Sequence, residues 1–448
     1  MYLRQALAAW REDSLLRKVV KNTGYLFSSN TLSMGLSVVQ SIFAARLLGV
    51  AGFGVLGAVM AFVSSVDRLL SFRMGELVVK YLGQYVAQDK KEHAGALVKA
   101  AALTEAISGV IAYLLILLLA PLAAVYIVKD AATQPLFAFY ALSLWANLIV
   151  ETATAALQVG GHFRSQAAIN LAQSVLTAGL ILFAFFTQAD IWLVLSAYLL
   201  GKLVFGLSIT TLALRRTGQM LGRGWWRASF SLLPRRDEFW RFALSSNFSG
   251  TINLVTRDSE VLWVSYFLSP LEAGYYKVAL AVINLVLMPI NPFINTTFPE
   301  IARAVTQKAW ARLRDLLKKL TAISAAWTAF IGIALLVVSG EWLITTFYGA
   351  AYGPAAPAAL ILLIGFGMAN VLYWNRPLLL SLGLPTYPLK VMAFAGIMKV
   401  VLGFLLVPRF GYLVQAALLS AFFVLSVGLI VWRGVSEINH RSSIVNPQ

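Results

Sequence analysis

The chain has 448 residues, of which 59% are hydrophobic and 12% charged, with a mean hydropathy of +0.77; an ordinary soluble domain is only roughly 45–50% apolar. No soluble core hides that much apolar surface, so the bilayer is the expected solvent. The net charge is +17, but no basic patch interleaved with aromatics sits on a soluble module, which argues against nucleic acid as a partner, and the absence of Cys excludes disulfides, thiol catalysis and Cys-based metal sites.

Residues 1–23 carry Arg4, Arg11, Arg17 and Lys18 with Glu12 and Asp13, and read as an amphipathic helix lying at the cytoplasmic interface. A cleaved signal peptide would need a short apolar core and a small-residue cleavage site, and neither is found. Apolar runs of spanning length then recur at roughly 24–48, 52–72, 97–119, 136–158, 166–187 and 191–214. A basic linker, 215–241, holds Arg215, Arg216, Arg223, Arg227, Arg235, Arg236 and Arg241, with Trp225 and Trp226 beside Arg227 as interfacial anchors. Six more runs follow at roughly 242–268, 271–296, 319–339, 357–382, 386–408 and 410–432, and 433–448 is a short tail. Positive charge fills every second connection: Arg73, Lys80, Lys90, Lys91 and Lys99 after the second span, and Arg303, Lys308, Arg312, Arg314, Lys318 and Lys319 after the eighth. Opposite connections offer little beyond Lys129 and Arg409. By the positive-inside rule both termini face the cytoplasm of a bacterial or archaeal inner (plasma) membrane.

The two halves, 24–214 and 242–432, echo each other. Leu47-Leu48-Gly49-Val50-Ala51-Gly52-Phe53-Gly54 opens the second span as Phe267-Leu268-Ser269-Pro270-Leu271-Glu272-Ala273-Gly274 opens the eighth, and each is followed by a Glu and a basic amphipathic segment, at Glu76 and Glu300. An even number of spans per half gives both halves one orientation, related by an axis along the membrane normal. The expected fold is an all-α polytopic membrane protein, about twelve transmembrane helices in two six-helix lobes related by pseudo-twofold symmetry around a central cleft, which is transporter architecture.

Charges inside apolar spans are informative, because each costs about 2.5–3.5 kcal/mol at a helix centre and so needs partners or water. The candidates for a cationic, substrate-binding cleft are Arg257, Lys202, Lys399, Lys277, Arg376, Arg46 and Arg68; guanidinium groups suit the paired oxygens of a phosphate. A plainer reading stands beside it: Arg257 and Glu260 lie three apart and neutralise each other, while Arg46, Arg68 and Arg376 sit close enough to span ends to snorkel. Asp258, Glu260, Glu151 and Glu105 are the candidates for coupling to an H+ or Na+ gradient, or else structural partners of nearby cations. Pro289, Pro292 and Pro377 are expected to bend or break their spans. No Gly-x-x-x-x-Gly-Lys-[Ser/Thr] motif is present, and the three histidines, His93, His162 and His440, are too dispersed for a metal site. Neither catalytic residues nor a bound cofactor is therefore expected.

Ala45-Arg46-Leu47-Leu48-Gly49 running into Gly52-Phe53-Gly54, then Arg73-Met74-Gly75-Glu76-Leu77-Val78-Val79-Lys80-Tyr81, and Phe267-Leu268-Ser269 running into Ala273-Gly274-Tyr275-Tyr276 resemble the polysaccharide exporters and O-antigen (Wzx-type) flippases of the multidrug/oligosaccharidyl-lipid/polysaccharide (MOP) exporter superfamily. The resemblance implies movement of a polyprenyl-pyrophosphate-linked oligosaccharide between leaflets by alternating access, coupled to an ion gradient, in a protein that is a monomer among membrane lipids with a glycan polymerase and glycosyltransferases as candidate partners. The alternatives are a multidrug exporter of the same superfamily, whose cationic cargo calls for net acidic and aromatic residues, a membrane-embedded glycan-assembly enzyme, disfavoured by short outer connections, and a non-transporting scaffold.

Overall fold

A computed structural model of the protein describes residues 14–72, 74–222, 224–233, 250–287, 291–337 and 340–445. Among the described residues the regular structure is helical throughout, as hydrocarbon requires of a chain that must satisfy its own backbone groups. Nine helices of the described residues are long and apolar enough to cross a membrane. They account for the spans read from the sequence except the seventh and eighth, which run into residues outside the described set. The proposed interfacial helix at 1–23 falls largely outside it too, since helix α1 (Ser14–Leu70) is described only from Ser14. This helix carries the first two spans: at Gly49 the backbone leaves helical geometry (φ 67°, ψ 177°), where the sequence places their connection. Positive φ there favours a residue without Cβ.

The chain divides into two compact units, one of Met1–Gln40, Val66–Pro121 and Gln134–Gly250, the other of Ser41–Ser65, Leu122–Thr133 and Thr251–Gln448. The first contains α2 (Met74–Ala87), α3 (Lys91–Ala123), α4 (Gln134–Ala141), α5 (Ser143–Ala146), α6 (Val150–Val159), α7 (Phe163–Phe186) and α8 (Ile191–Leu221). The amphipathic segment after the second span is α2. Its Met74, Leu77, Val78, Tyr81 and Leu82, on one helical face, pack against Leu97, Val98 and Ala101 of α3 and Ala155 and Ala156 of α6, leaving Glu76 and Lys80 exposed. Burying such side chains from water is worth about 1.5–3 kcal/mol each, which anchors a helix that does not itself span. The first linker residues, 215–221, continue α8, and a short turn at Trp225–Arg227 then rests on this same cluster: Trp225 packs into it, and Lys99 donates to the Ala228 carbonyl with its ammonium 3.9 Å from the Phe230 ring centre. Arg235, Arg236 and Arg241 lie outside the described residues.

The second unit combines residues 41–65 with α9 (Glu260–Phe267), α10 (Pro270–Leu287), α11 (Asn291–Thr306), α12 (Trp310–Val337), α13 (Gly340–Tyr348), α14 (Ala355–Val371), α15 (Asn375–Ser381), α16 (Thr386–Phe410) and α17 (Tyr412–Val445). Here the two repeated motifs meet. A Cβ on Gly54 would lie 2.7 Å from the Pro270 carbonyl carbon and 2.9 Å from the Gly274 nitrogen, and a Cβ on Gly274 would lie 3.0 Å from the carbonyl carbon of Val50. Reciprocal contact between equivalent positions is the signature of a twofold relation, and small residues let the two backbones touch. Helix α11 repeats the role of α2, burying Ile301, Ala304 and Val305 beside Trp310, Leu313 and Leu317 while Glu300 pairs outside with Arg303 at 3.2 Å and Arg312 at 3.7 Å. Beyond Trp432 the chain stays helical to Val445, braced by Arg433 and Arg441 on Glu437 at 3.1 and 2.8 Å.

Among the described residues, the fourth and tenth spans are broken. The fourth, 136–158, becomes α4, α5 and α6 with a turn at 147–149; the tenth, 357–382, becomes α14 and α15 with a break at 372–374. Pro377 sits in the first turn of α15, where a missing N–H removes no helical hydrogen bond. No proline announces the break in the fourth span. Pro289 and the side chain of Pro292 lie outside the described residues.

Candidate functional site

The turn at 147–149 makes α6 begin within its span, so its first N–H groups need acceptors where water is scarce. Glu105 on α3 supplies them: one carboxylate oxygen accepts from the Glu151 N–H at 2.7 Å and the other from the Thr152 N–H at 3.0 Å. A carboxylate there is favoured both by these bonds and by the positive end of the helix dipole. Glu105 thus ties α3 to α6 across the break.

The break opens onto a cavity of about 440 Å³ within the first unit, lined by Asp67, Arg68, Glu105, Asn147, Glu151 and Lys202, with Asn170, Gln173 and Phe205 along its wall. That is within the range of small-molecule sites, about 300–1,000 Å³. Four charges picked out by position in the sequence, Arg68, Glu105, Glu151 and Lys202, therefore share one space with Asp67, three carboxylates with two cations. The Lys202 ammonium lies 5.3 Å from the centre of the Tyr140 ring and within electrostatic reach of Asp67. Ser71 donates to Glu151 at 3.4 Å. The cavity mixes both signs of charge.

Behind it runs a ladder of neutral polar groups between α1 and α7. Asn170 donates to Asn30 at 3.1 Å and to Ser33 at 3.2 Å, Ser29 donates to the Ala167 carbonyl at 2.7 Å, and Gln40 to the Ser174 carbonyl at 3.0 Å. A search for charges passes over these residues. Their signal was periodicity: Ser29, Ser33, Ser37 and Gln40 recur every three or four residues, one stripe of an otherwise apolar helix.

The other charged candidates belong to the second unit and do different things. Glu260 and Lys399 form an ion pair with 1% and 4% of their surfaces exposed. The Lys399 ammonium also donates to the Thr256 carbonyl at 2.7 Å, and Glu260 accepts from the Tyr276 hydroxyl at 2.8 Å and the Gln415 amide at 2.9 Å. Glu260 is thus neutralised by a lysine 139 residues away, where the sequence spacing suggests Arg257. The physical reason is a π-helical turn at Leu254–Asp258, whose wider winding turns Arg257 and Asp258 to the exposed side and aims the Thr256 carbonyl at Lys399. Arg257 lies 5.6 Å from the centre of the Phe423 ring. Lys277 sits 3.8 Å over the Phe53 ring centre, its stem in the space that a side chain on Gly57 would take, and no ion pair joins it among the described residues. Arg46, exposed, donates to the Thr346 and Phe347 carbonyls, the latter at 2.7 Å, and so caps the C-terminal end of α13. Arg376 is exposed on α15. The break beside it is packed shut, with Tyr373 and Trp374 buried, Trp374 donating to Thr321 at 2.8 Å and Asn370 to Thr328 at 2.9 Å. The equivalent break in the first unit is the one that opens.

The sequence profile of a family described as "Polysaccharide biosynthesis protein" matches residues 19–305. Inner membrane protein YghQ of Escherichia coli (strain K12) is 22% identical over 346 residues, 77% of this chain and 96% of that protein. Among solved structures, the lipid II flippase MurJ in an inward closed conformation is 12% identical, with 93% of this chain and 90% of that one covered at a TM-score of 0.69. A multidrug resistance MATE family transporter of the MOP superfamily, inward-facing, is 15% identical, with 92% and 96% covered at 0.69. A MOP superfamily transporter from Pyrococcus furiosus is 13% identical, with 95% and 96% covered at 0.66. Identities this low show the fold alone, the all-helical, multi-pass arrangement that those structures share.

Proposed function

The chain belongs to the polysaccharide biosynthesis protein family, and from that premise we propose that it is a flippase moving a polyprenyl-pyrophosphate-linked oligosaccharide, an O-antigen or exopolysaccharide repeat unit, across the inner membrane by alternating access. The observation that carries this reading is the polar cavity at the broken fourth span. A hydrophilic glycan has to pass about 30 Å of hydrocarbon, and five charged groups around one intramembrane space are sustainable only with a polar occupant or water. The polyprenyl tail stays in lipid. Arg257, exposed and not engaged in an ion pair among the described residues, is the candidate for the diphosphate. Coupling to a proton or sodium gradient, as an antiporter, falls to Asp67 and Glu151 in the cavity and to the exposed Asp258, because Glu105 caps α6 and Glu260 is held by Lys399. Both termini face the cytoplasm, where a glycan polymerase and glycosyltransferases are the candidate partners.

A second reading, a multidrug exporter, draws support from the three carboxylates and the Phe205 ring in the cavity. Against it, one carboxylate is spent on backbone N–H groups and two cations answer the others. Reconstitution decides between them. Proteoliposomes should translocate a fluorescent polyprenyl-pyrophosphate oligosaccharide, faster under an imposed proton or sodium gradient and far more slowly with Arg257→Ala. Efflux of cationic dyes with no translocation of any glycan donor would establish the exporter instead.

A further inference from the structure

Resting on the flippase reading, we infer that the first-unit cavity is the site that grips the glycan, through the hydroxyl groups of neutral sugars, and that it does not hold the diphosphate. The charge count comes first. Three carboxylates face two cations, so a multiply charged anion entering here would meet as much repulsion as attraction in a medium that screens poorly. Glu105 is committed to the α6 N–H groups, which leaves Asp67 and Glu151 against Arg68 and Lys202, a balanced lining.

The chemistry of the lining follows. A sugar hydroxyl both donates and accepts. Carboxylates offer only acceptors, ammonium and guanidinium only donors, and the amides of Asn147 and Gln173 both, so the wall complements a polyol and not an anion alone. Asp67, Asn147 and Lys202 make no side-chain hydrogen bond among the described residues, so these groups are available to an occupant, whereas a buried polar group left unpaired would be costly. Phe205 supplies an apolar face for the C–H side of a sugar ring. The Glu105 clamp keeps the broken backbone from closing over this space, a positioning role.

The chain has no cysteine, which makes a clean test possible. Val150→Cys places a single thiol at the cavity wall, and its labelling rate by a polar maleimide is measured in detergent with galactose, mannose, rhamnose or N-acetylglucosamine, and separately with inorganic pyrophosphate. At about 50 mM sugar, labelling is expected to slow about tenfold, the ratio 1 + [L]/Kd for a Kd near 5 mM. Asp67→Asn in the same background should abolish that protection, measured against the variant's own unprotected rate at a temperature below its own Tm, and pyrophosphate should protect little. Protection by pyrophosphate alone, or by none of the sugars, overturns the inference even where proteoliposomes flip a lipid-linked donor. Sugar protection without flipping of any donor leaves the glycan site standing and removes the flippase reading.

Discussion

Glu260→Gln and Lys399→Met should each destabilise the second unit severely, and together much less than their sum. The pair is buried at 1% and 4% exposure, and removing one partner of such a pair costs about 3–5 kcal/mol, because a charge remains without its counter-charge. Without Lys399 the carboxylate keeps the Tyr276 and Gln415 donors at 2.8 and 2.9 Å, but the Thr256 carbonyl loses the ammonium that met it at 2.7 Å. Without the Glu260 charge the ammonium keeps only neutral oxygens. Lys399→Met should therefore fall near the lower end of that range and Glu260→Gln near the upper. The double variant carries neither charge, so the coupling between the two sites should reach about 2 kcal/mol or more, within the span measured for contacting residues. Unfolding in mixed micelles of increasing denaturing-detergent content, followed by tryptophan fluorescence, reads all four proteins; Trp263 lies beside Lys399 and reports locally. Additive losses, or a Lys399→Met protein as stable as the parent, would refute the claim that this network holds the unit together.

Gly54→Val should prevent accumulation of folded protein, since its Cβ alone would stand 2.7 Å from the Pro270 carbonyl carbon, and overpacking against backbone exceeds the usual cost of about 1–3 kcal/mol; size-exclusion profiles after extraction check it. Glu105→Ala removes both acceptors from the start of α6 and should cost about 0.5–2 kcal/mol, the value of a lost helix cap, with slower flipping in proteoliposomes because the cavity wall loses its brace. Arg46→Ala should cost only about 0.3–1 kcal/mol, seen as a small drop in Tm, because it withdraws one cation from the end of an exposed helix. Lys277→Met should leave stability unchanged or raise it, since the ammonium is held by one aromatic face alone among the described residues; a loss of translocation in that stable protein would mark the charge as one the transport cycle uses.

The amino-acid sequence by itself determined the solvent, the helical class and the repeat. Spanning length and apolar composition are one-dimensional properties, and hydrocarbon permits little besides helices to a chain with this pattern. The amphipathic segments after Glu76 and Glu300 emerged as α2 and α11 for the same local reason: an apolar stripe at helical spacing needs only a neighbouring helix. The paired glycines, Gly54 and Gly274, were legible as equivalent positions; that they touch was not. Charge positions were also visible, but their roles were not, because a role depends on what lies across the bundle. Arg257 and Glu260 look like a pair at three residues' spacing, yet one π-helical turn separates them and hands Glu260 to Lys399. Arg46 and Lys277, alike as lone cations near span ends or within spans, are respectively a helix cap and a lysine over a phenylalanine ring. The break at 147–149 carries no proline or glycine to announce it. Glu105, brought from another helix, supplies the acceptors at that break, and so the tertiary structure decided where the cavity would form.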